Sequence, residues 1–513
     1  MFPDKQRKHL KGMKSTNTGH PSGLYVLFVT EMWERFSYYG MRAIFVLFMT
    51  KVLLLSDQDA SEIYGSYTGL VYLTPLLGGY LCDQFLGNRR SIFIGGLLMA
   101  LGQFFMFLSA SAGAEGGVSL MWTGLTALII GNGFFKPNIS TMVGQLYPKD
   151  DRRIDSAFTI FYMGINLGAF FSPLVCSSFS DYKYGFLAAC IGMLMSLVVM
   201  LMFQKKYLIS EEGKEIGLPV RPLDGKNIFM VVASIGLIFF MLNFKQWFHS
   251  DKDIISWFIY GSMLLMPAVI LSDKSLNSQE RRRIIVVFIL AFFVIFFWGA
   301  FEQAGASLTL FADRQTNRFI GGWEMPAAWF QSVNPLAVIT LAPLFTVIWG
   351  FLYRFKMEPS SPTKMAWGLA LVAIGYALIA FAVNGLGASE KVSMWWLFGL
   401  YVIHTMGELC LSPIGLSMVS KLAPLRLSSL MMGTWFLANA AANKFAGTLS
   451  ALIPPAGEIT GPVEYPSFMG FQITNLYEFF SLFLVMTGVA AAILFVLSGY
   501  LQKQIDKPAD SKS

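Results

Sequence analysis

Apolar runs long enough to cross a bilayer recur along nearly the whole chain, and they constrain its fold more than any other feature. A helix of about 20 apolar residues spans the hydrocarbon core, and no stretch between the runs could hold a soluble domain of even about 50 residues. Only 13% of the residues are charged, against about 25% in soluble domains. We therefore expect an all-α polytopic membrane protein and exclude enzyme chemistry on a soluble domain.

The apolar pattern predicts fourteen spans and their orientation. The spans lie at about 22–52, 61–86, 91–110, 118–146, 154–178, 185–204, 226–247, 252–272, 283–312, 325–353, 364–384, 393–420, 427–452 and 473–500. An even number places both termini on one side, and most of the 38 Lys and Arg residues fall there. Since short cytoplasmic loops accumulate Lys and Arg, we predict cytoplasmic termini. Topology and anionic membrane lipid then explain the net charge of +7 without a nucleic-acid partner.

Two polar breaks divide the predicted spans. The longer break, Lys205 to Lys226, contains Gly213, Pro219 and Pro222 and is predicted to be a linker. Spans seven and eight are short and are joined by the polar segment 243–253, which suggests an inserted hairpin. The predicted division is a cytoplasmic tail at 1–21, an N-terminal six-helix bundle at 22–204, a cytoplasmic linker at 205–225, the hairpin at 226–273, a C-terminal six-helix bundle at 274–502 and a cytoplasmic tail at 503–513.

The first span carries charges where lipid is expected. With Tyr38, the charged residues share one helical face at 3.6 residues per turn; they are Glu31, Glu34, Arg35 and Arg42. A charge at the bilayer centre costs about 2.5–3.5 kcal/mol on insertion scales. We therefore expect this face to line a polar interior, with Glu31 and Arg35 forming an ion pair. A purely structural charge pair is the alternative, but charges recur in other spans, at Lys136, Glu302 and Glu408.

The cysteines and histidines do not indicate metal or disulfide chemistry. Cys82, Cys176, Cys190 and Cys410 lie at a span end or in or near apolar runs, without CxxC or His-rich spacing. We expect no disulfide, metal site or cofactor. An intramembrane hydrolase is a weak alternative, because no Ser/Lys, paired-Asp or metal-ligand constellation occurs in the spans.

The loop between spans two and three resembles the cytoplasmic loop motif of the major facilitator superfamily. It reads Gly79-Tyr-Leu-Cys-Asp83-Gln-Phe-Leu-Gly87-Asn-Arg89-Arg90. Gly87 permits a tight turn, and Asp83 can cap a helix end. Without the hairpin the spans number six plus six, as in that superfamily, where the site lies between two bundles. We therefore expect a major facilitator fold, with 6+6 transmembrane helices in two bundles plus the inserted two-helix hairpin.

Five stretches, in this order, resemble the proton-dependent oligopeptide transporters, the POT or PTR2 family. They are Glu31-x-x-Glu34-Arg35-Phe-x-Tyr-Tyr-Gly, Gly131-Asn-Gly-Phe-Phe-Lys136-Pro137-Asn138, Phe161-Tyr162-Met-Gly-Ile-Asn166, Trp298-Gly-Ala-Phe-Glu302-Gln303 and Glu408-Leu-Cys-Leu-Ser412-Pro413. The resemblance covers essentially the whole chain, and the combination is more specific than any one stretch. It implies a proton-coupled symporter that imports di- and tripeptides by alternating access.

The resemblance also implies residue roles. The peptide carboxylate would meet Arg35 and Lys136, and the peptide amine would meet Glu408 and Asn334. Asn166 would contact the peptide backbone. Side-chain pockets and the remaining substrate contacts are assigned to Tyr38, Tyr39, Tyr72, Trp298, Ser412 and Trp435. The residue chemistry agrees, because cations on one bundle and an anion on the other can clamp a zwitterion, while aromatic walls tolerate many side chains.

Proton coupling requires a buried carboxylate that can lose its partner when it is protonated. The candidates are Glu31, Glu34 and Glu302. In the family pattern Arg42 pairs with Glu302 toward the outside, while Lys136 and Glu408 can bridge the bundles toward the cytoplasm. We expect protonation of Glu302 to release Arg42 and open one gate.

Two departures from the family's animal members bear on localisation and coupling. No histidine occurs between His20 and His249, where animal members carry a functional histidine in the second span. We expect His404 to pack against a neighbour in its own span rather than to relay protons. The loop 384–392 is short, whereas animal members hold a large extracellular domain there. We therefore predict a bacterial inner-membrane protein, with no prediction of its oligomeric state.

Other functions fit part of the pattern. A drug antiporter would also use intramembrane acids, but cavity cations would repel cationic drugs. An anion transporter would explain the intramembrane cations but would leave the carboxylates Glu31, Glu34 and Glu408 with less of a role. A receptor that binds peptide without transporting it would show saturable binding and no flux.

Overall fold

The computed structural model describes residues 19–148, 151–210, 213–219, 224–248, 253–387, 390–455 and 465–507. Most of the predicted N-terminal tail, Pro222 in the predicted linker and the end of the C-terminal tail lie outside the described residues. The described chain is almost entirely helical, which confirms the predicted all-α class.

Five long helices form the first part of the chain. They are α1 (Ser22–Lys51), α2 (Asp57–Leu81), α3 (Asn88–Gln145), α4 (Ile154–Cys176) and α5 (Tyr182–Tyr207), with a π-helical turn at Cys82–Leu86. The predicted third and fourth spans are parts of the single element α3, which bends at Gly113, where φ is 67°. Glycine adopts this positive φ without steric cost.

Nine helices, α6 to α14, follow. They are α6 (Gly225–Phe248), α7 (Ile254–Leu271), α8 (Ser278–Phe301), α9 (Ser307–Arg314), α10 (Val333–Arg354), α11 (Ser361–Val383), α12 (Met394–Leu422), α13 (Ser428–Ser450) and α14 (Leu476–Asp506), with 3-10 turns at Glu302–Gly305, Ala327–Ser332 and Leu425–Leu427. Polar caps fix several helix starts, as at α8, where Asn277 and Glu280 form a capping box.

Three small sheets lie in the connections. They pair β1 (Thr316–Asn317) in parallel with β4 (Val392–Ser393), β2 (Phe319–Ile320) antiparallel with β3 (Trp323–Glu324), and β5 (Ser467–Phe468) antiparallel with β6 (Phe471–Gln472). In register, Thr316 faces Val392, Phe319 faces Glu324 and Ser467 faces Gln472.

Within the described ranges, nine helical segments are long and apolar enough to cross a membrane. The predicted count of fourteen spans therefore stays a prediction. Composition alone undercounts the membrane spans. Helix α1 is not counted, because it carries four charges between Glu31 and Arg42. Such a helix crosses a bilayer only when its charged face is covered by other helices.

Contacts define two ends of the helix assembly. At the linker end, where α1 and α3 begin, Arg89 donates to the main-chain oxygen of Leu208 and to Glu215 Oε2, both at 2.7 Å. Gly87 there has a φ of 71°, and an added Cβ would lie 2.5 Å from the main-chain nitrogen of Pro219. The turn therefore requires glycine, as predicted. We call the opposite end, where α1 ends and α2 begins, the far end.

Ion pairs hold the far end together across the predicted boundary between the two bundles. Lys51 Nζ lies 2.7 Å from Asp313 Oδ1, and Arg314 Nη2 donates to Asp57 Oδ1 at 2.7 Å. Deeper in the assembly, Arg42 pairs with Glu302. These contacts close the space between the bundles at this end.

Glycines bring α2 and α13 into close contact beside these ion pairs. A Cβ added to Gly65 would lie 2.6 Å from the Cα of Gly447. Gly65 and Gly69 both face α13, which belongs to the other predicted bundle. The second small-residue pair, Gly164 and Gly168, does pack within its predicted bundle, against α1. The first pair lets two backbones approach where the bundles meet.

The inserted hairpin packs beside both predicted bundles. Helix α6 contacts α3, and α7 contacts α13. The polar connection is shorter than the predicted 243–253, since α6 continues to Phe248. Lys444 on α13 is 1% exposed, and its Nζ lies 2.6 Å from Asp253 Oδ2 and donates to Ser66 Oγ at 2.9 Å. One buried lysine therefore joins the hairpin, α13 and α2.

We expect Asp253→Asn to destabilise the protein, because it leaves the Lys444 ammonium buried without a carboxylate. Breaking a buried pair costs several kcal/mol, and partial exposure of Asp253 reduces this to about 1–3 kcal/mol. Thermal unfolding in detergent measures the loss. The matched control is the double variant Asp253→Asn with Lys444→Met, which removes both charges and should recover most of the stability. A single variant as stable as the parent would contradict the pairing.

Candidate functional site

The charged face of α1 is internally paired. Arg35 Nε lies 3.0 Å from Glu31 Oε1 and 2.6 Å from Glu34 Oε2, so the predicted pair of Glu31 with Arg35 is present. The N–H directions do not align with these oxygens, and the contacts are therefore ionic rather than well-formed hydrogen bonds. The Arg35 guanidinium also lies 5.4 Å from the centre of the Tyr38 ring. All four side chains are buried.

Glu302 lies where α8 ends. The predicted span 283–312 is not one continuous helix, because it changes to a 3-10 turn at Glu302–Gly305. A Cβ on Gly305 would lie 1.8 Å from Tyr64 Oη, so only glycine allows this approach. Arg42 pairs with Glu302, and its Nε donates to Tyr64 Oη at 2.5 Å. The break thus places the carboxylate against α1 and α2.

Lys136 and Glu408 face one cavity but do not pair with each other. Lys136 Nζ lies 4.6 Å from the centre of the Tyr72 ring, a cation–π contact. Glu408 Oε2 accepts a 2.8 Å hydrogen bond from Asn334 Nδ2, which also donates to Thr405 Oγ1 at 3.0 Å. The predicted Lys136–Glu408 bridge is therefore not formed between these two described residues. In this conformation the far end is closed, and Lys136 and Glu408, the predicted gate toward the cytoplasm, are not paired.

A cavity of about 290 Å³ collects most of the predicted site residues. Those on its wall are Tyr39, Arg42, Tyr72, Lys136, Asn166, Trp298, Glu302, Asn334, Glu408 and Ser412. Five predicted residues do not line it: Glu31, Glu34, Arg35, Tyr38 and Trp435. The first four lie on the paired face of α1, and Trp435 packs against Gly415 instead.

Several cavity residues were missed from the sequence. Amide and hydroxyl groups among them are Tyr162, Gln331, Tyr401, Asn439 and Asn443. Polar amides are common in membrane-embedded helices, so their presence alone does not identify the inward face. The i,i+4 spacing of Asn439 and Asn443 was the one available signal, because it places both on one face.

His404 also lines the cavity, one turn before Glu408. It is buried and packs against aromatic rings on other helices, whereas a neighbour in its own span was expected. Its ring centre lies 4.9 Å from that of Tyr376 on α11 and 6.2 Å from that of Phe301 on α8. Neighbouring helices supply these rings because the small residue Gly375 leaves room for the imidazole.

The arrangement suits a small ligand with a negative and a positive end. Lys136 offers a cation on α3, Glu408 offers a carboxylate on α12, and aromatic rings including Trp298 also line the cavity. Small-molecule sites have volumes of about 300–1,000 Å³, so this cavity is at the small end of that range. Among the described residues, no cluster of three or more His, Cys, Asp or Glu side chains could hold a metal ion.

Comparisons with known proteins converge on one family. The POT family description matches residues 89–461. The peptide transporter YePEPT of Yersinia enterocolitica is 37% identical over 85% of this chain and 90% of that protein. A di-/tripeptide transporter of Lactococcus lactis subsp. cremoris is 33% identical over 88% of this chain and 93% of that protein.

Solved structures agree with the sequence comparisons. A mutant of a peptide transporter POT, in complex with alafosfalin, has a TM-score of 0.83 at 32% identity and covers 99% of this chain and 100% of that chain. A POT family transporter in complex with a thioalcohol-conjugated peptide has a TM-score of 0.81 at 32% identity, over 94% of this chain and 98% of that chain. The predicted family and fold are thereby confirmed.

Proposed function

This chain belongs to the POT family of membrane transporters and has its major facilitator fold, and on that premise we propose that it is a proton-coupled symporter importing di- and tripeptides by alternating access. The observation that supports this most is the placement of Lys136 and Glu408 on one small cavity, apart from each other. A zwitterionic short peptide has one partner for each of these charges. The small volume favours two or three residues over longer peptides.

In this proposal the peptide termini bind at opposite walls. Lys136 binds the carboxylate, while Glu408 and Asn334 bind the amine. Asn166 contacts the peptide backbone, and Tyr39, Tyr72, Trp298 and Ser412 surround the side chains. Charge-assisted hydrogen bonds of this type are roughly twice as strong as neutral ones.

Arg35 does not line the cavity in this structure. Its Nε lies 3.0 Å from Glu31 Oε1 and 2.6 Å from Glu34 Oε2. Protonation of both acids would free the guanidinium to turn toward a peptide carboxylate beside Lys136. Tyr38 and Trp435, which also lie off the wall, would reach the substrate only after such a rearrangement.

Glu302 couples the proton to the far-end gate. While ionised it holds Arg42 and keeps the far end closed. Protonation removes the attraction, so the bundles can separate there, and Lys136 can pair with Glu408 to close the linker end. Each ligand then biases the equilibrium between two conformations. Each proton moved inward provides about 2.3 kcal/mol per 100 mV of membrane potential.

The location of the protein follows from the same proposal. The linker end, with both termini, would face the cytoplasm of a bacterium, and the far end would face outward from the inner membrane. The excess of Lys and Arg in the predicted linker-end loops supports this orientation. Protons are the co-transported ion, and no cofactor is required.

The contact of α2 with α13 gives a test of alternating access that is independent of substrate. We expect Gly447→Leu to hold the far end open, because its side chain would occupy the space of Gly65. Spin labels at Gln58 and Ile320, which are exposed far-end positions on the two predicted bundles, report the separation. The matched control is Gly350→Leu, since no atom lies within 4 Å of a Cβ there. An unchanged distance in Gly447→Leu would contradict this gate.

The substrate class is tested by competition for counterflow of labelled alanyl-alanine in proteoliposomes. We expect unlabelled di- and tripeptides to compete, and free alanine, tetra-alanine and nitrate not to compete. Competition by nitrate would favour an anion transporter, and competition by lipophilic cations would favour a drug transporter. Binding of alanyl-alanine without any counterflow would favour a receptor.

A further inference from the structure

Two asparagines one turn apart on α13 line the cavity, and the proposed clamp does not use them. They are Asn439 and Asn443. Asn443 is 2% exposed, so its amide is removed from bulk water. A buried amide in a binding cavity needs a partner for each of its polar atoms.

The orientation of the Asn443 amide is fixed by its own helix. Its Nδ2 donates to the main-chain oxygen of Asn439 at 2.9 Å. A carbonyl oxygen only accepts hydrogen bonds, so the nitrogen must occupy that side and Oδ1 the other. Oδ1 is buried and accepts no hydrogen bond from the described part of the chain. Asn443 lines the cavity, but Oδ1 itself has almost no exposed surface, so a donor in the cavity reaches this unpaired acceptor when the side chain turns toward the ligand.

Helix α13, which carries Asn443, packs against helices at both charged ends of the cavity. Helix α13 packs along α2, which carries Tyr72 against Lys136. The same helix contacts α12, which carries Glu408. Asn443 thus lines the cavity from a helix that is next to both the predicted carboxylate site and the predicted amine site.

We infer that Asn443 Oδ1 accepts a hydrogen bond from the N–H of the substrate's peptide bond, and that it selects secondary amides over N-alkylated ones. The inference rests on the proposed function. With the carboxylate at Lys136 and the ammonium at Glu408, the peptide N–H is the one backbone donor of a dipeptide that remains. A buried acceptor discriminates well, because an N-alkylated ligand leaves it unpaired.

The test compares the binding of alanyl-alanine with that of alanyl-N-methylalanine, in which the peptide nitrogen carries a methyl group in place of its hydrogen. The parent protein should bind alanyl-alanine about threefold to tenfold more tightly. Asn443→Leu removes the acceptor at similar volume and should lose this preference, mainly through weaker binding of alanyl-alanine. Asn443→Gln keeps an amide with both a donor and an acceptor and should retain the preference better than Asn443→Leu. Because the ligand pair is the same in each protein, conformational differences between the two peptides cancel.

Equal weakening of both peptides in Asn443→Leu would assign Asn443 to packing and overturn the inference, as would a preference that survives the substitution. If Asn443→Leu does not fold, the parent alone still tests the inference, since equal affinity for the two peptides overturns it. A parent that binds neither peptide would remove the proposed function and this inference with it. A parent that binds and transports both equally would remove only the inference.

Discussion

Glu302→Gln should abolish proton-driven accumulation of peptide while leaving exchange intact. In the parent, a membrane potential of 100 mV supports up to about 50-fold accumulation for each coupled proton, because about 2.3 kcal/mol is available. The glutamine cannot lose or gain the proton that releases Arg42, so the ratio of internal to external peptide should stay near one. Counterflow of labelled peptide should persist, since exchange needs only the substrate-loaded transitions.

The control for this experiment is a carboxylate away from the cavity. Glu390→Gln changes an exposed side chain that accepts a hydrogen bond from the main-chain nitrogen of Gly387, and it should accumulate peptide like the parent. Accumulation by Glu302→Gln at the parent's level would show that another acid couples the proton. Glu31 and Glu34 would then be the next candidates.

Glu408→Gln should weaken binding of peptides with a free amine by about 10-fold to 100-fold. A hydrogen bond to a charged group contributes about 1.5–3 kcal/mol, and the substitution removes the charge that faces the ammonium. Binding of an N-acetylated dipeptide should change little, because it has no ammonium to lose. Calorimetric titration of the purified protein with both ligands measures the difference.

Lys136→Met provides the reciprocal control at the other wall of the cavity. It should weaken binding of peptides with a free carboxylate and spare peptides with an amidated C-terminus. A Glu408→Gln variant that loses affinity for free and N-acetylated peptides equally would contradict the assignment of the amine to Glu408. The two variants together test the direction in which the peptide lies.

Local periodicity predicted the charged face of α1 correctly. Glu31, Glu34 and Arg35 are close along one helix, so their pairing depends only on helix geometry. Periodicity could not decide whether this face opens into the cavity. In the structure Glu31, Glu34 and Arg35 pair with one another and do not line the cavity, whereas Arg42 of the same face lines it and pairs with Glu302, because exposure to the cavity depends on how α1 packs against the other helices.

Periodicity alone could not predict contacts between distant segments of the chain. Arg42 and Glu302 are separated by 260 positions, and the resemblance to a known family, not their spacing, suggested that they pair. The break of α8 at Glu302 was missed, and it lies where Gly305 approaches Tyr64, a residue on another helix. Asn443 was missed for the same reason, since its place on the cavity wall depends on the packing of α13 against α2 and α12.

Whether protons drive peptide import is tested by measuring peptide flux and proton flux simultaneously. Parent protein is reconstituted in proteoliposomes that contain a pH-sensitive dye, and labelled alanyl-alanine is added with an inward proton gradient imposed or collapsed. We predict peptide accumulation above the external concentration together with internal acidification, and loss of both when the gradient is collapsed. Peptide flux that is unchanged by collapsing the gradient, with no acidification, would contradict the account and leave a peptide facilitator.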